Sequence, residues 1–192
     1  MEKYLEEELK LNYLDLCDFL HKKYGVPNGN YFLTESCKSK NQKITRGKEG
    51  LFLHHIKENE HIMLCNKQWA IHQPFDYQKG KNLVYCDYLE HLILHYKIVQ
   101  EYLETGESYE LVGIGGIVNF IVPEINDYFN GYEYTRDWQK KAFSLVDKKS
   151  FNKLKDMIYD FITKAKNPII NAEARFSYPI LKGNKGTMTT GE

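Results

Sequence analysis

The stretch LFLHHIKENEH (residues 51–61), followed after a polar loop by NLVYCDYLEHLILH (residues 82–95), decides the fold that we expect. Six of the seven histidines of the chain lie in this region. The pair His54 and His55 follows the first apolar run, and two further histidines stand four residues apart in the second. A single histidine is usually a surface or packed residue, but this ordered set is much less probable by chance and indicates a shared site.

The local pattern predicts a strand, a second strand and a helix, in this order. Gly50–Leu53 is a short apolar run that predicts the first strand, and Leu83–Cys86 is apolar, partly aromatic and β-branched, which predicts the second. Asp87 is a favoured N-cap residue, and Glu90 three residues later completes the pattern of a capping box. A helix is therefore expected to begin near Tyr88.

This helix would bring His91 and His95 onto one face, because side chains four residues apart are neighbours with roughly 5–6 Å between their Cβ atoms. Their ring nitrogens can then converge on one metal ion. Two ligands do not make a site, and His54, at the end of the first strand, is the best candidate for the third. Because strand side chains alternate between faces, the adjacent His55 would point elsewhere and be free for other chemistry.

This constellation resembles the HNH, or ββα-metal, endonuclease family, in which a His-His or Asp-His pair ends the first strand, an Asn lies between the strands and histidines lie on the helix. It is similar to the three-histidine version of DNase colicins and short phage HNH proteins, whose E-H-x-x-x-H helix matches residues 90–95. The nine-residue step from Asn82 to His91 also fits, and the resemblance covers about 45 of the 192 residues. Two features depart from the family: the step of 27 residues from His55 to Asn82 is long, and the usual Gly-Gly is missing.

The resemblance implies a role for each residue of the motif. His54, His91 and His95 would hold one divalent metal ion. His55 would be the general base that takes a proton from the attacking water, and Asn82 would pin the loop and help to orient His55. An imidazole that titrates near neutrality can accept this proton at working pH, and the implied reaction is hydrolysis of a phosphodiester. Three imidazoles suit Zn, Ni, Co or Mn better than Mg, which prefers oxygen ligands.

A basic segment lies directly before the first strand and carries five positive charges with no acid before Glu49: Lys38, Lys40, Lys43, Arg46 and Lys48. Next to an active site, these side chains would contact phosphates and would concentrate and orient DNA. An ordinary solvated loop is the alternative interpretation, since charge runs are common. The net charge of zero gives a nuclease no support, because binding to the nucleic-acid backbone depends on Lys and Arg.

The composition indicates a folded protein of a reducing compartment. Hydrophobic residues make up 42% of the chain and aromatic residues 14%, which argues against disorder. The four cysteines show neither a disulfide framework nor a C-x-x-C pair. The charged segment Met1–Lys10 is unlike a signal peptide, and the apolar run Val112–Val122 is too short to span a bilayer. We therefore expect a cytoplasmic protein that does not enter a membrane.

Further elements are predicted on both sides of the motif. They are an amphipathic helix over Lys3–Lys23, a short strand over Tyr31–Leu33, two helical pieces broken near Pro123 over Tyr109–Phe129, a short helix over Thr135–Val146 anchored by Trp138 and Phe143, and a helix over Lys148–Lys166 with Ser150 as its N-cap. The glycines of Gly113-Ile-Gly-Gly116 match no phosphate-binding fingerprint and indicate close helix packing. The lysine-rich face of the last helix is either solvated, which we favour, or a second DNA-facing surface. His61 and His72, in the polar loop, are expected to be solvated.

We predict an α+β protein, in which a mainly helical domain contains an embedded ββα-metal (HNH) motif. A single domain would cover residues 1–180. It would consist of an N-terminal helix and basic segment (1–49), the metal motif (50–104) and a helical C-terminal part (105–180), followed by a flexible tail (181–192).

The predicted function is a metal-dependent HNH endonuclease that hydrolyses DNA, with a homodimer supplying one active site for each strand. Two alternatives stay open. The first is a non-catalytic, zinc-stapled module that binds nucleic acid or a defence-related partner. The neutral charge and the long loop favour this module, whereas the spare His55 argues against it. The second is a nuclease that acts on RNA, which substrate competition would distinguish.

Overall fold

A small antiparallel sheet and a long helix lie at the centre of a mainly helical protein, which agrees with the predicted α+β class. The computed structural model describes residues 2–105 and 112–165. The strands are β1 (Phe52–His55) and β2 (Leu83–Cys86). The α-helices are α1 (Glu2–Glu8), α2 (Tyr13–Tyr24), α3 (Lys67–Ala70), α4 (Tyr88–Thr105), α5 (Ile114–Gly116), α6 (Val122–Phe129), α7 (Asp137–Ser144) and α8 (Lys148–Lys164). A π-helix (Ile117–Ile121) joins α5 to α6, and 3-10 helices lie at Gln42–Ile44, Gly47–Glu49, Ile56–Asn59, Phe75–Gln78 and Gly80–Asn82.

Among the helices within these ranges, none combines the length and the hydropathy that crossing a bilayer requires.

The two strands lie close to where the sequence pattern predicts them. The strand β2 covers the predicted residues, whereas β1 begins at Phe52 and extends through both His54 and His55. The strands are antiparallel, with Phe52 opposite Cys86 and His55 opposite Leu83. All four side chains of β2 are buried, because α2 and α4 pack against this strand.

The capping box predicted for α4 is confirmed. The backbone N–H of Glu90 donates to Oδ1 of Asp87 at 2.9 Å, and the backbone N–H of Asp87 donates to Oε2 of Glu90 at 2.7 Å. The helix begins at Tyr88, and the three consecutive residues Leu92–Leu94 are fully buried, so the core surrounds this part of the helix on several sides. Each such side chain contributes roughly 1.5–3 kcal/mol on burial. Because α1, α2, both strands, α5 and the π-helix all pack against α4, this helix is the axis of the core.

The prediction of one continuous N-terminal helix over Lys3–Lys23 is wrong, because the structure has two helices with a turn between them. The side-chain oxygen of Asn12 accepts a hydrogen bond from the backbone N–H of Asp15 at 2.8 Å and so caps α2. Such a local bond competes with continuation of the preceding helix. As a result Tyr13 stands at the start of α2, where its side chain is fully buried.

Three details of the C-terminal prediction need correction. The helical conformation continues through Pro123, which lies in the first turn of α6. Proline has no backbone N–H to donate, and the preceding π-helix changes the hydrogen-bond register at this point, so the chain stays helical. Phe143 is buried as expected, but Trp138 is 37% exposed. The N-cap of α8 is Asp147, whose carboxylate accepts a hydrogen bond from the backbone N–H of Ser150 at 2.8 Å.

The strand predicted over Tyr31–Leu33 is also absent from the described residues, where Phe32 and Lys40 form an isolated bridge. The backbone N–H of Tyr31 donates instead to the carbonyl of Gln78 at 2.7 Å, so this segment is tied to the loop before β2. The predictions for residues 106–111 and 166–192, including the tail at 181–192, fall outside the described residues.

An ionic cluster lies beside the start of α4. Nζ of Lys23 donates to Glu8 at 3.4 Å and also to Glu90, and the hydroxyl of Tyr24 donates to Glu90 at 3.1 Å. Burial, together with the neighbouring charge of Glu90, raises the pKa of Glu8 to about 7. Burial likewise raises the pKa of Asp87 to about 6. The folded protein therefore holds protons here at pH values where the unfolded chain has released them.

We expect Glu8→Gln to remove one contribution to the pH dependence of stability. The unfolded Glu8 releases its proton near pH 4.5 and the folded Glu8 near pH 7, so the contribution of Glu8 to the free energy of unfolding decreases as the pH rises through this window. The variant lacks this contribution, so as the pH increases its free energy of unfolding should rise more, or fall less, than that of the wild type, while the contributions of the other buried titratable groups remain in both proteins. Urea unfolding across the window measures the slope. Glu7→Gln, at an exposed position of the same helix, should retain the wild-type slope, and the same slope in Glu8→Gln would contradict the assignment.

Candidate metal centre

Three histidine side chains from β1 and α4 converge at one point. One ring nitrogen from each of His54, His91 and His95 lies within 4.8 Å of the other two. The ring centroids are between 4.9 and 5.3 Å apart. His54 and His95 are buried, and His91 is half-buried. The structure thus brings the three predicted ligands together, and this cluster could hold a metal ion.

A hydrogen bond to a tyrosine fixes the tautomer of His54. The hydroxyl oxygen of Tyr13 lies 2.7 Å from the carbonyl oxygen of Ile56 and 2.9 Å from Nε2 of His54. The carbonyl can only accept, so the single phenolic proton goes to Ile56, and Nε2 of His54 donates to the Tyr13 oxygen. Nδ1 of His54 then carries the lone pair, and this buried nitrogen has no hydrogen-bond partner among the described residues.

The glycine segment around α5 fixes His95 in a similar way. Nδ1 of His95 donates to the carbonyl oxygen of Gly113 at 3.1 Å, which leaves the lone pair on Nε2. A Cβ atom at Gly116 would lie 2.3 to 2.8 Å from atoms of the His95 ring, so only glycine allows the ring to lie there. Gly113 has φ +85°, in the region that favours glycine. These glycines therefore allow close packing between helices, as predicted. The side chain that packs against them is His95, a candidate metal ligand.

The donor set fits a divalent metal ion. Burial lowers the pKa of His54 and His91 well below the usual value and that of His95 to about 4, so all three rings are neutral at pH 7. Neutral imidazole is the form that binds metals. Metal-ligating histidines usually donate their second N–H to a neighbouring group, as His54 and His95 do here. The unpartnered Nδ1 of His54 is the atom that a metal ion would satisfy.

Glu58, which the sequence analysis missed, lies beside this cluster. Its Oε2 atom is 3.5 Å from Nδ1 of His54 and 3.7 Å from Nε2 of His95, and its Oε1 atom is 4.0 Å from Nδ1 of His55. Burial raises the pKa of Glu58 to about 8. The residue follows β1 in a stretch with the composition of a polar loop, so no pattern marked it. The 3-10 helix Ile56–Asn59 turns its side chain back towards the histidines.

His55 lies next to the cluster but is 1% exposed. Its Nε2 atom is 3.0 Å from Oε1 of Gln78, whose amide nitrogen donates to the carbonyl of Leu64. His55 therefore donates from Nε2, and its Nδ1 atom carries the lone pair. The Tyr31 ring packs against it, with centroids 4.5 Å apart. Burial lowers the pKa of His55 to about 4, below the near-neutral value of an ordinary imidazole.

Asn82 is half-buried and holds the loop together. Its side-chain amide donates to the carbonyl oxygen of Asp76 at 2.7 Å and to the carboxylate of Asp76 at 3.0 Å. These bonds are compatible with the predicted loop-pinning role. The contact expected between Asn82 and His55 is made instead by Gln78, a second residue that the sequence analysis missed.

A cavity of about 830 Å³ opens beside the histidines. Lys38 and Lys40 of the basic segment lie on its lining, and Nζ of Lys40 donates to the hydroxyl of Tyr31 at 2.9 Å. His55 lies on the other face of β1 and does not line this space. His54, Glu58, His91 and His95 form the part of the lining at the histidine cluster. The largest apolar side chains of the lining are Phe32 and Phe120.

The remaining members of the basic segment divide into two kinds. Lys43 and Lys48 are exposed. The guanidinium of Arg46 donates from Nε to Glu49 at 2.6 Å and from Nη1 to the carbonyl of Tyr24 at 2.7 Å. The structure therefore uses Arg46 for internal contacts and leaves the two lysines facing solvent.

The two histidines of the long loop do not belong to the cluster. His72 is exposed, as predicted. His61 is half-buried and stacks on Tyr77, with ring centroids 5.5 Å apart, so it is a packed residue and not a fully solvated one.

Comparisons of the chain with protein-family models, with curated proteins and with solved structures gave no match. The assignment of a site therefore depends on the geometry of these side chains and on the resemblance of the motif.

We expect Gly116→Ala to disturb His95, because the new methyl group would overlap the imidazole ring. Overpacking of this kind typically costs about 1–3 kcal/mol, and the displaced ring should also bind zinc less tightly. Gly115→Ala is the matched control, since its Cβ atom would meet only the amide of Asn119 at 3.8 Å. Thermal unfolding and competition titration with zinc measure both effects. Equal behaviour of the two variants would contradict the packing argument.

We expect Tyr13→Phe to weaken metal binding, because the ring of His54 would no longer be held in one tautomer. Loss of such an outer contact typically lowers metal affinity by about 10–100-fold. Tyr85→Phe is the control, since it also removes a buried hydroxyl bonded to a backbone carbonyl, that of Ile44 at 2.7 Å. Zinc affinity should fall only in Tyr13→Phe, whereas both variants lose some stability.

Proposed function

We propose that the protein is a metal-dependent HNH endonuclease that hydrolyses phosphodiester bonds in DNA. The observation that carries this proposal is the convergence of His54, His91 and His95, in which the lone pairs of His54 and His95 are fixed by hydrogen bonds to surrounding residues. The order of antiparallel strand pair and helix supports it, because the motif that the sequence resembles has the same order.

Each residue then has a chemical task. The three histidines hold one divalent ion, which when bound would polarise the scissile phosphate and neutralise charge on the leaving oxygen. His55 acts as the general base. Since its Nε2 atom donates to Gln78, its Nδ1 atom is the one that takes the proton of the attacking water. Burial keeps this imidazole unprotonated at pH 7, which is the form that a base requires.

The cavity supports access of a phosphate group to the histidines. Of the basic segment, Lys38 and Lys40 are best placed to contact that phosphate, because they lie on the lining. Lys43 and Lys48 face solvent and would extend the positive potential along the nucleic-acid backbone. DNA is the proposed partner, RNA is the alternative substrate, and a homodimer would supply a second active site for the other strand.

A non-catalytic, metal-stapled binding module is the second candidate, and the burial of His55 favours it. At 1% exposure, Nδ1 of His55 must become accessible to water before it can act. If it stays enclosed, the histidine cluster retains only the stabilising role of a structural metal site.

The first test is nicking of supercoiled plasmid by metal-stripped protein, with Zn, Ni, Co, Mn or Mg added back. We expect nicking with at least one of the first four ions. His55→Ala should lower the rate by about 10²–10⁴-fold, the usual contribution of a general base, without changing metal affinity. His91→Ala should lose both cleavage and tight metal binding.

His72→Ala is the matched control, because it removes an exposed histidine outside the cluster and should cleave like the wild type. Cleavage of RNA but not of DNA would change the proposed substrate. Tight binding of one metal ion per chain, with no cleavage of either nucleic acid, would replace the nuclease by the binding module.

A further inference from the structure

The carboxylate of Glu58 faces two histidine lone pairs. Hydrogen bonds to Tyr13 and Gly113 leave these lone pairs on Nδ1 of His54 and on Nε2 of His95. Oε2 of Glu58 lies 3.5 Å from the first atom and 3.7 Å from the second. Two histidine lone pairs and one carboxyl oxygen therefore meet at one point on the lining of the cavity.

A metal ion at this point would bind all three atoms at once, because each can offer an electron pair to it. The spacing is also suitable. Zinc binds nitrogen and carboxylate oxygen at about 2.0–2.2 Å, which places tetrahedral ligand atoms about 3.4 Å from one another. The distances from Glu58 to the two rings are close to this value. His91, with a ring nitrogen within 4.8 Å of those of His54 and His95, would supply the remaining nitrogen of the set.

We propose that Glu58 is a fourth protein ligand of the metal centre and binds through Oε2. The inference rests on the metal site of the proposed function, but it does not depend on cleavage. The ligand set would then contain three nitrogens and one oxygen, a combination suited to Zn, Co or Mn. Oε1 of the same carboxylate faces Nδ1 of His55 at 4.0 Å, so Glu58 lies between the metal ligands and the proposed base.

Cobalt(II) is the probe for this proposal, because its visible absorption reports the ligands and the coordination number directly. Metal-stripped wild type, Glu58→Gln and Glu58→Ala are titrated with Co²⁺. We expect both variants to bind Co²⁺ at least about tenfold more weakly and to show shifted absorption bands, since water replaces the carboxylate. Glu60→Gln is the matched control, because this exposed carboxylate is two residues away in sequence, and it should give the wild-type spectrum and affinity.

The choice of variant and one further measurement separate a lost ligand from a lost fold. Glu58→Gln preserves the size of the side chain, and circular dichroism of the metal-free variants identifies any that fails to fold. Wild-type bands and wild-type affinity in folded Glu58→Gln and Glu58→Ala would overturn the proposal and leave Glu58 as a neutral acid packed beside the histidines.

Failure of this inference is distinguishable from failure of the proposed function. If the wild type nicks DNA but the cobalt spectrum is unchanged in both Glu58 variants, the proposed nuclease function is supported and Glu58 is not a metal ligand. If the spectrum changes in both Glu58 variants but the wild type cleaves neither DNA nor RNA, Glu58 is supported as the fourth ligand. The non-catalytic binding module then replaces the nuclease as the proposed function.

Discussion

The hydrogen bonds that fix the tautomers of His54 and His95 are the constraint on which the whole centre depends. Each partner comes from outside the strand pair and helix, since Tyr13 belongs to α2 and Gly113 precedes α5. An imidazole presents a lone pair to its neighbours only when its proton is used elsewhere, and a buried N–H without a partner costs about 1–3 kcal/mol. The flanking helices therefore decide which ring nitrogen faces the cluster, besides enlarging the core.

The start of α4 is the second constraint, because it sets the direction of two histidines at once. Successive helical residues are rotated by about 100°, so a helix that began one residue later would turn His91 and His95 away from β1. The reciprocal bonds between Asp87 and Glu90 fix the first turn. Glu90 is also held by Lys23 of α2, so the capping box and the ionic cluster stabilise the same end of the helix.

Features that depend on neighbouring residues could be predicted from the sequence, whereas features that depend on contacts between distant residues could not. The strand β2, the start of α4 and the shared face of His91 and His95 follow from neighbouring residues alone. The position of Tyr13 at the start of a separate helix could not be predicted, because the helical periodicity of apolar residues continues on both sides of the break at Asn12. Gln78 took the contact expected of Asn82, since only the path of the long loop decides which amide reaches His55. The close contact between Gly116 and the ring of His95 could not be predicted either, because His95 belongs to another helix.

The position of Glu58 shows how far the site extends beyond the motif. Alternation along β1 sends the side chains of His54 and His55 to opposite faces, so the strand alone provides no group in reach of both. The 3-10 turn that follows places Glu58 within 4.0 Å of each ring. The carbonyl of Ile56, at the start of that turn, accepts a hydrogen bond from Tyr13 at 2.7 Å. The hydroxyl that sets the tautomer of His54 therefore also holds the turn that carries Glu58. A change in the packing of α2 would move the proposed ligands and the proposed base together.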